Sequence, residues 1–153
     1  MGVSLYLILD RADPTIVPRL EGKVLLGSLP VLDAIASKVG VKGPQSFMDN
    51  RPAPTGFEFS KAPDVKKDAA AFWTWSEAAE KAAAARELTE PWDEWFDAAD
   101  GVASMTVLAK EVASSERLAA ELDADVLYEE LVEMARCLAL ARDRGIRFRF
   151  EAW

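Results

Sequence analysis

The two ends of the chain carry the hydrophobic patterns of β-strands. Residues 3–9 read VSLYLIL, with apolar side chains on both alternating faces, which predicts a strand covered on two sides or lying centrally in a sheet. Near the C-terminus, Ile146, Phe148 and Phe150 alternate with charged residues, which predicts a strand with one buried and one solvated face. Pairing of these two strands would tie down both chain ends.

Between the strands, the spacing of apolar residues predicts several helices. One begins at Ser28, which can cap it, and ends at Gly40. Another begins at Asp97, a capping residue, with Asp100 in its first turn, and the last begins with Asp125 as its cap. Their apolar faces consist of Leu32, Ile35, Ala36 and Val39; of Val102, Met105, Leu108, Ala109 and Val112; and of Leu127, Leu131, Met134, Leu138 and Ala141.

Three other segments have weaker patterns. Residues 21–26 fit either a short strand or a helical turn. Residues 41–63 contain four prolines and two glycines without a sustained period, which predicts a long surface loop with a short strand at residues 57–59. The alanine-rich residues 64–88 predict helix, and the capping-box spacing at Thr74 favours a break into two helices there.

These elements together predict an α+β fold in which helices pack on a small sheet that includes the N-terminal and C-terminal strands. The chain has 153 residues, half of them apolar, which is the usual size and composition of one globular domain. We therefore expect residues 1–153 to form a single domain with a packed core.

The charge and residue composition exclude several classes of function. The formal net charge is -8, which repels nucleic acid phosphates and makes basic proteins or cations more plausible partners. The chain contains no histidine, so catalysis by Ser-His-Asp or Cys-His sets and zinc sites with histidine ligands are excluded. We assign no catalytic residue and no cofactor from the sequence.

The cysteine content and the apolar segments bear on the cellular location. Cys137 is the one cysteine, which allows no internal disulfide and fits a reducing compartment. Its place on the apolar side of the last helix favours a buried, inert thiol over a nucleophile. The N-terminus lacks the basic region of a signal peptide, and no apolar run is long enough to cross a membrane. We expect a cytoplasmic protein.

The stretch EPWDEWFDAADG, residues 90–101, is the main candidate for a functional site. Asp93, Asp97 and Asp100 are spaced at i, i+4 and i+7, so a continuous helix would place three carboxylates on one face for a divalent cation. Helix capping by Asp97 and Asp100 is the simpler interpretation. A third interpretation is a partner-binding surface, because tryptophan is enriched at binding hot spots. That surface consists of Trp92, Asp93, Glu94, Trp95 and Asp97.

A paired-carboxylate hydrolytic site is a further alternative. Glu58 lies between two phenylalanines and Glu94 lies beside Trp95, and apolar neighbours of this kind raise the pKa of a general acid. Such flanking is common by chance. Arg147 and Arg149, on the solvated face of the last strand, fit either an anion site or residues that protect the sheet from aggregation.

Four segments carry a resemblance to a known protein family: GVSLYL, LPVLDAIASKVGVKGPQSF, EWFDAADGVASMTVLA and LYEELVEMARCLALARDRGIRFRF. They resemble a family of small uncharacterised bacterial proteins that share an LGV helix end, a WFD-x-A-x-G helix start and a terminal strand reading G-I/V-R-F. The likeness covers roughly two-thirds of the chain. Ala98 stands where proline is expected and Asp100 where glutamate is expected. The resemblance implies a bacterial, helix-rich α+β domain and carries no catalytic residue.

The leading functional hypothesis is a non-enzymatic acidic protein that acts by protein–protein binding. Its specific form is an immunity or antitoxin-like partner of a basic protein, since negative charge speeds the capture of such a partner. The alternative is a small-molecule or divalent-metal-binding protein, or a carboxylate-based hydrolase. Neither hypothesis involves nucleic acid or a membrane, and a homo-oligomer formed through an apolar helix face stays open.

Overall fold

The computed structural model describes residues 3–51, 62–121 and 123–153. Its contacts divide the chain into two compact units. Unit 1 consists of Met1–Asn50 with Glu94–Trp153, and unit 2 consists of Arg51–Asp93. The predicted α+β class is confirmed, while the expectation of a single domain stays a prediction.

A two-stranded antiparallel sheet joins the two ends of the chain in unit 1. Strand β1 spans Leu5–Leu9 and strand β2 spans Phe148–Ala152, with Leu5 opposite Ala152 and Leu9 opposite Phe148. Each strand also forms one isolated β-bridge on its outer edge: Gly22 pairs with Leu5 of β1, and Phe96 pairs with Phe148 of β2. The predicted pairing of the terminal strands is therefore confirmed.

The expectation that β1 is covered on both sides is wrong. Within the described ranges its sheet has two strands, and Tyr6 is exposed while Leu5 on the opposite face is buried. Tyr6 stacks on Trp153 with the ring centroids 4.5 Å apart. Tyr6, on the outer face of β1, is thus covered in part by the Trp153 ring and not by a second layer of the fold.

Two helices follow β1 in the chain. Helix α1 spans Lys23–Gly27, so the ambiguous segment at residues 21–26 begins with a bridge residue and continues as helix. Helix α2 spans Leu29–Val39 and ends at Gly40, whose φ of +78° is a conformation that favours glycine. The predicted side-chain cap by Ser28 is wrong: Ser28 occupies the cap position without a capping hydrogen bond, and its side chain is buried.

The start of the predicted loop at residues 41–63 is a packed element. Residues Pro44–Phe47 form a 3-10 turn, and Phe47 is completely buried against the rings of Phe148 and Phe150. This part of the expected surface loop therefore belongs to the core. The strand expected at residues 57–59 lies outside the described residues.

Three further helices of unit 1 precede β2. Helix α3, which spans Ala69–Thr89, belongs to unit 2, and in unit 1 α4 spans Ala98–Ser114, α5 spans Glu116–Glu121 and α6 spans Ala124–Asp143. Helices α4 and α6 pack on each other, and their buried faces meet the inner face of the sheet. The core includes Leu5, Leu25, Leu32, Phe47, Met105, Leu108, Leu127, Leu131, Leu138, Phe148 and Phe150.

Caps at the helix starts of unit 1 agree with the sequence at α4 and differ at α6. Asp97 caps α4, because its carboxylate accepts a hydrogen bond from the Ala99 N–H at 3.1 Å, and Asp100 lies in the first turn. The cap position of α6 is Asp123, without a side-chain capping bond, and Asp125 lies inside the first turn. The prediction of Asp125 as the cap is wrong by two positions, and α5 was not predicted.

The described part of unit 2 is dominated by helix α3, which spans Ala69–Thr89. Asp68 caps it by accepting a hydrogen bond from the Ala71 N–H at 3.0 Å. The predicted break at Thr74 is wrong, since the helix is continuous and the Thr74 hydroxyl donates to the Ala70 carbonyl. High alanine content favours the uninterrupted helix over a second capping box. No described helix of either unit has the length and apolar character needed to span a membrane.

Candidate functional site

The predicted partner-binding residues divide between the two units. Trp92 and Asp93 belong to unit 2, and Glu94, Trp95 and Asp97 belong to unit 1. Trp92 is only 8% exposed, so its indole does not contribute to an accessible ridge. The carboxylates of Asp93, Glu94 and Asp97 are exposed, and Trp95 is half-buried. We call Glu94, Trp95 and Asp97 the acidic–tryptophan surface.

Trp95 is held in a defined position on the outer face of the sheet. The guanidinium carbon of Arg149 lies 4.3 Å from the centroid of the Trp95 ring, which is the geometry of a cation–π contact. Arg149 also forms an ion pair with Glu151 at 3.1 Å. Because the neighbouring Phe96 exchanges backbone hydrogen bonds with Phe148, the segment that carries Trp95 is tied to β2. The aromatic ring is therefore preorganised beside exposed carboxylates.

The three aspartates proposed for a divalent cation do not lie on one continuous helix. Helix α4 begins at Ala98, so Asp93 precedes it and Asp97 is its cap. The carboxylate of Asp100 is paired with the Lys42 ammonium at 3.0 Å. Among the residues that the structure describes, no group of three or more acidic or cysteine side chains is arranged to hold a metal ion. The capping interpretation accounts for Asp97 and Asp100.

Cys137 lies in an environment that suppresses its reactivity. The thiol is completely buried, and burial raises its pKa above the ordinary value. The neighbouring Glu133 and Arg136 form an ion pair with each other, and the hydrogen bonds from Arg136 lower the pKa of Glu133. A thiol with a raised pKa is a poor nucleophile at neutral pH. The structure thus agrees with the inert interpretation of Cys137. Glu58, the other member of the suggested acid pair, lies outside the described residues.

Glu130 is a buried carboxylate that the sequence does not single out. It projects from α6 to the start of α1, where it accepts a hydrogen bond from the Leu25 N–H at 2.7 Å. The N–H groups at the start of a helix have no partner within that helix, so Glu130 supplies the cap that α1 lacks. Burial raises its pKa, and the backbone hydrogen bonds oppose this effect. Its role is to join α1 to α6.

Replacement of Glu130 by glutamine is expected to change the pH dependence of stability. The raised pKa means that the folded protein binds more protons than the unfolded chain between the unfolded value, near 4.5, and the folded value. The free energy of unfolding therefore falls as the pH rises through this interval, and Glu130→Gln has no proton to lose. We expect the free energy of unfolding of the wild type minus that of the variant to decrease as the pH rises above about 4.5 in urea unfolding. A difference between the two free energies that stays constant or increases with pH would contradict this prediction. The matched control is Glu129→Gln, the same substitution at the neighbouring exposed residue.

A cleft of 320 Å³ lies between β1 and the segment at residues 17–22. The segment pairs with β1 only where the Leu5 N–H donates to the Gly22 carbonyl at 3.1 Å. Farther along, α6 holds it: the Arg19 N–H donates to Glu133 at 3.2 Å, and Arg136 donates to the Val17 carbonyl at 3.2 Å. The cleft is therefore a fixed feature of the fold, with walls formed by Ser4, Leu5, Tyr6, Leu7, Val17, Pro18, Arg19, Leu20, Glu21 and Gly22.

The outer edge of β1 has open hydrogen-bonding groups, which begin at Leu7 on the wall of the cleft and continue beyond it at Leu9. Backbone hydrogen bonds join Ser4 with Trp153 and Asp10 with Arg147, so the alternation of an antiparallel ladder places the bonds to β2 on even-numbered residues of β1. The N–H and C=O groups of Leu7 and Leu9 consequently point to the outer edge. Within the described residues they have no backbone or side-chain partner.

The sequence contains only a weak signal for this cleft. Val17 and Leu20 are exposed apolar residues next to Pro18, in a stretch whose prolines indicate a turn. Their proximity to β1 depends on contacts with α6, which is more than one hundred residues distant in the chain. Arg19, also on the wall of the cleft, shows no distinguishing pattern in the sequence.

Comparisons with protein-family models, curated proteins and solved structures find no match to this chain. The family resemblance based on its helix ends and terminal strand therefore stays a prediction. Function has to be argued from the geometry of the described residues.

Proposed function

We propose that this protein acts by binding another protein, and that the acidic–tryptophan surface contributes to the contact. The observation that carries the proposal is the placement of Trp95, whose ring rests on the Arg149 guanidinium beside the exposed carboxylates of Glu94 and Asp97. A held aromatic ring loses little conformational entropy when a partner covers it, and tryptophan is a frequent hot-spot residue.

The charge of the protein favours a basic partner. The net charge is -8, and the two carboxylates of the surface, Glu94 and Asp97, belong to unit 1 and are exposed. Complementary charge raises the association rate by steering the encounter, and this effect weakens as salt is added. Strong salt dependence of the association rate is therefore expected.

The specific form of the proposal is an immunity or antitoxin-like protein that neutralises a basic partner in the cytoplasm. This form rests on the small size, the acidity and the single buried thiol. Asp93, which is exposed, stays a candidate contact residue, whereas the burial of Trp92 removes its ring from the surface that we propose.

A charge-substituted variant tests the proposal. The double variant Glu94→Lys/Asp97→Asn reduces the charge of the surface, and asparagine preserves the cap of α4 because it is as good a capping residue as aspartate. We expect roughly tenfold slower association with a partner captured from a lysate of the organism that encodes the protein, with a smaller change in dissociation. Surface plasmon resonance at low and high salt measures both rates.

The matched control is Glu121→Lys/Glu129→Gln, which changes the net charge equally at two exposed positions on α5 and α6. It should slow association much less than the first variant. If both double variants slow association equally, the effect is one of overall charge and the proposed surface is wrong. If neither variant changes binding, or no partner is captured by the wild-type protein, the proposal fails.

A further inference from the structure

We propose that the cleft beside β1 binds an extended, apolar segment of a partner protein, which adds as a strand to β1 and places an acidic side chain at Arg19. This inference rests on the proposed function, because it assumes a protein partner, and it assigns a second contact site with a different chemistry. The acidic–tryptophan surface would steer the encounter, and the cleft would hold one strand of the partner.

Hydrogen-bonding groups on β1 fit an added strand. The outward N–H and C=O groups belong to Leu7 and Leu9, two residues apart, which is the repeat of a strand. An extended peptide can pair with both residues, and strand addition of this kind obtains affinity from main-chain bonds. Since a two-stranded sheet is marginal by itself, a third strand also extends a small sheet that has an open edge.

The segment at residues 17–22, which forms the far wall of the cleft, does not itself pair with the open edge of β1. Two hydrogen bonds from α6 hold the carbonyl of Val17 and the N–H of Arg19, and Pro18 between them has no N–H to offer. Glu133 and Arg136, which make these bonds, are also paired with each other. The space between β1 and the segment is thus kept open before any partner arrives.

The lining of the cleft fits apolar side chains of an added strand. Val17 and Leu20 are 58% and 43% exposed, and Tyr6, on the opposite wall, is 40% exposed. The Tyr6 ring on this wall is stacked on Trp153. Side chains that alternate along an extended peptide would cover these surfaces, which otherwise contact water.

The charges on the cleft wall favour an acidic segment of a partner protein over a second copy of this chain. Glu21 on the cleft wall is paired with Lys23 at 2.7 Å, and Glu133 is held by Arg136. Arg19 is exposed and forms no ion pair with any described residue, although its charge acts at longer range on Glu133. Because Glu133 is already paired with Arg136, its single negative charge faces two positive ones, and a positive excess remains beside the cleft. An acidic side chain in the bound segment would pair with Arg19. A second copy of this chain, joined through the same edge, would instead bring its own Arg19 to the site.

The test uses a displayed library of random nonapeptides selected on the full-length protein. We expect enriched peptides to alternate apolar residues and to contain an acidic residue. In the variant Arg19→Glu their dissociation constants should rise roughly three- to tenfold, because an attractive charge pair becomes repulsive. Arg117→Glu, an exposed arginine on α5 with the same change in charge, is the matched control and should leave affinity unchanged.

Amide hydrogen exchange reports the binding mode. Saturating peptide should slow exchange of the Leu7 and Leu9 amides at least about tenfold, because new hydrogen bonds protect them. A second variant, Leu7→Pro, removes one outward N–H at an edge position where proline is sterically tolerated, and it should weaken binding if the variant stays folded. If Leu7→Pro does not fold, the peptide affinity of Arg19→Glu provides the test.

Several results would overturn the inference. Selection without enrichment, peptides that bind Arg19→Glu and wild type equally, or unchanged exchange at Leu7 and Leu9 would each do so. Protection of these amides in a dimer without peptide, measured by sedimentation and exchange together, would assign the edge to a second copy. If the peptide tests fail but Glu94→Lys/Asp97→Asn still slows association with the captured partner, the proposed function stays intact. Loss of that sensitivity, with peptide binding retained, would remove the acidic–tryptophan surface alone.

Discussion

The variant Phe148→Ala is expected to lower the free energy of unfolding by about 3–5 kcal/mol, the range measured for removal of a buried phenylalanine ring. Phe148 is completely buried, and its ring centroid lies 5.0 Å from that of Phe47 and 5.2 Å from that of Phe150. Truncation leaves a cavity at the junction of the sheet and the 3-10 turn. The lost ring contacts add to the lost burial, because rigid aromatic neighbours fill such a cavity poorly.

Urea unfolding followed by circular dichroism measures this change. Val3→Ala is the control, since Val3 is 56% exposed and its truncation should change stability by less than about 0.5 kcal/mol. A loss below about 1 kcal/mol for Phe148→Ala would mean that the aromatic cluster does not anchor the sheet as described.

The variant Gly101→Ala is expected to destabilise the protein although alanine favours helix. Alanine gains about 1 kcal/mol over glycine in a helix interior. At Gly101, in α4, an added Cβ would lie 2.6 Å from the Phe148 ring and 2.9 Å from a methyl group of Leu138. Overpacking of a well-packed core costs about 1–3 kcal/mol, and both neighbours are completely buried. We expect the overpacking to exceed the helix gain, with a net loss of up to about 2 kcal/mol.

Gly27→Ala provides the opposite case. Gly27 is the last residue of α1, and an added Cβ there meets no atom within 4 Å, so the variant should be neutral or slightly more stable. Thermal unfolding of the two variants side by side separates propensity from packing. Stabilisation by Gly101→Ala would show that α4 and β2 are packed less closely than the structure indicates.

The two predicted caps that failed show the limit of local pattern. Asp97 caps α4 as expected, because the chain enters that helix in an extended conformation with the carboxylate near the first free N–H groups. At Ser28 the chain arrives from α1 and the residue is buried, and at α6 the helix starts one residue before Asp125. A capping residue type marks a helix start only when the preceding backbone is free to take the cap geometry.

Part of the candidate site was also visible in the sequence. The acidic stretch at residues 90–101 identified the region of Trp95, and helix-start logic correctly assigned Asp97 and Asp100. Neither the contact of Trp95 with Arg149 nor the burial of Trp92 follows from that pattern. The first depends on β2, which is distant in the chain and places Arg149 beside the Trp95 ring. The cleft beside β1 was missed for the same reason, since α6 holds its far wall.

The sequence by itself determined the secondary structure at the chain ends, the apolar faces of α4 and α6, that of α2 except for Val39, which is exposed, and the α+β class. These features follow from the local periodicity of apolar residues, which indicates the face of each helix or strand that is buried. Only the tertiary structure decided that β1 keeps an open edge, that Phe47 enters the core and that Glu130 caps α1. Such features arise from contacts between residues far apart in the chain, whose geometry depends on how all the helices pack.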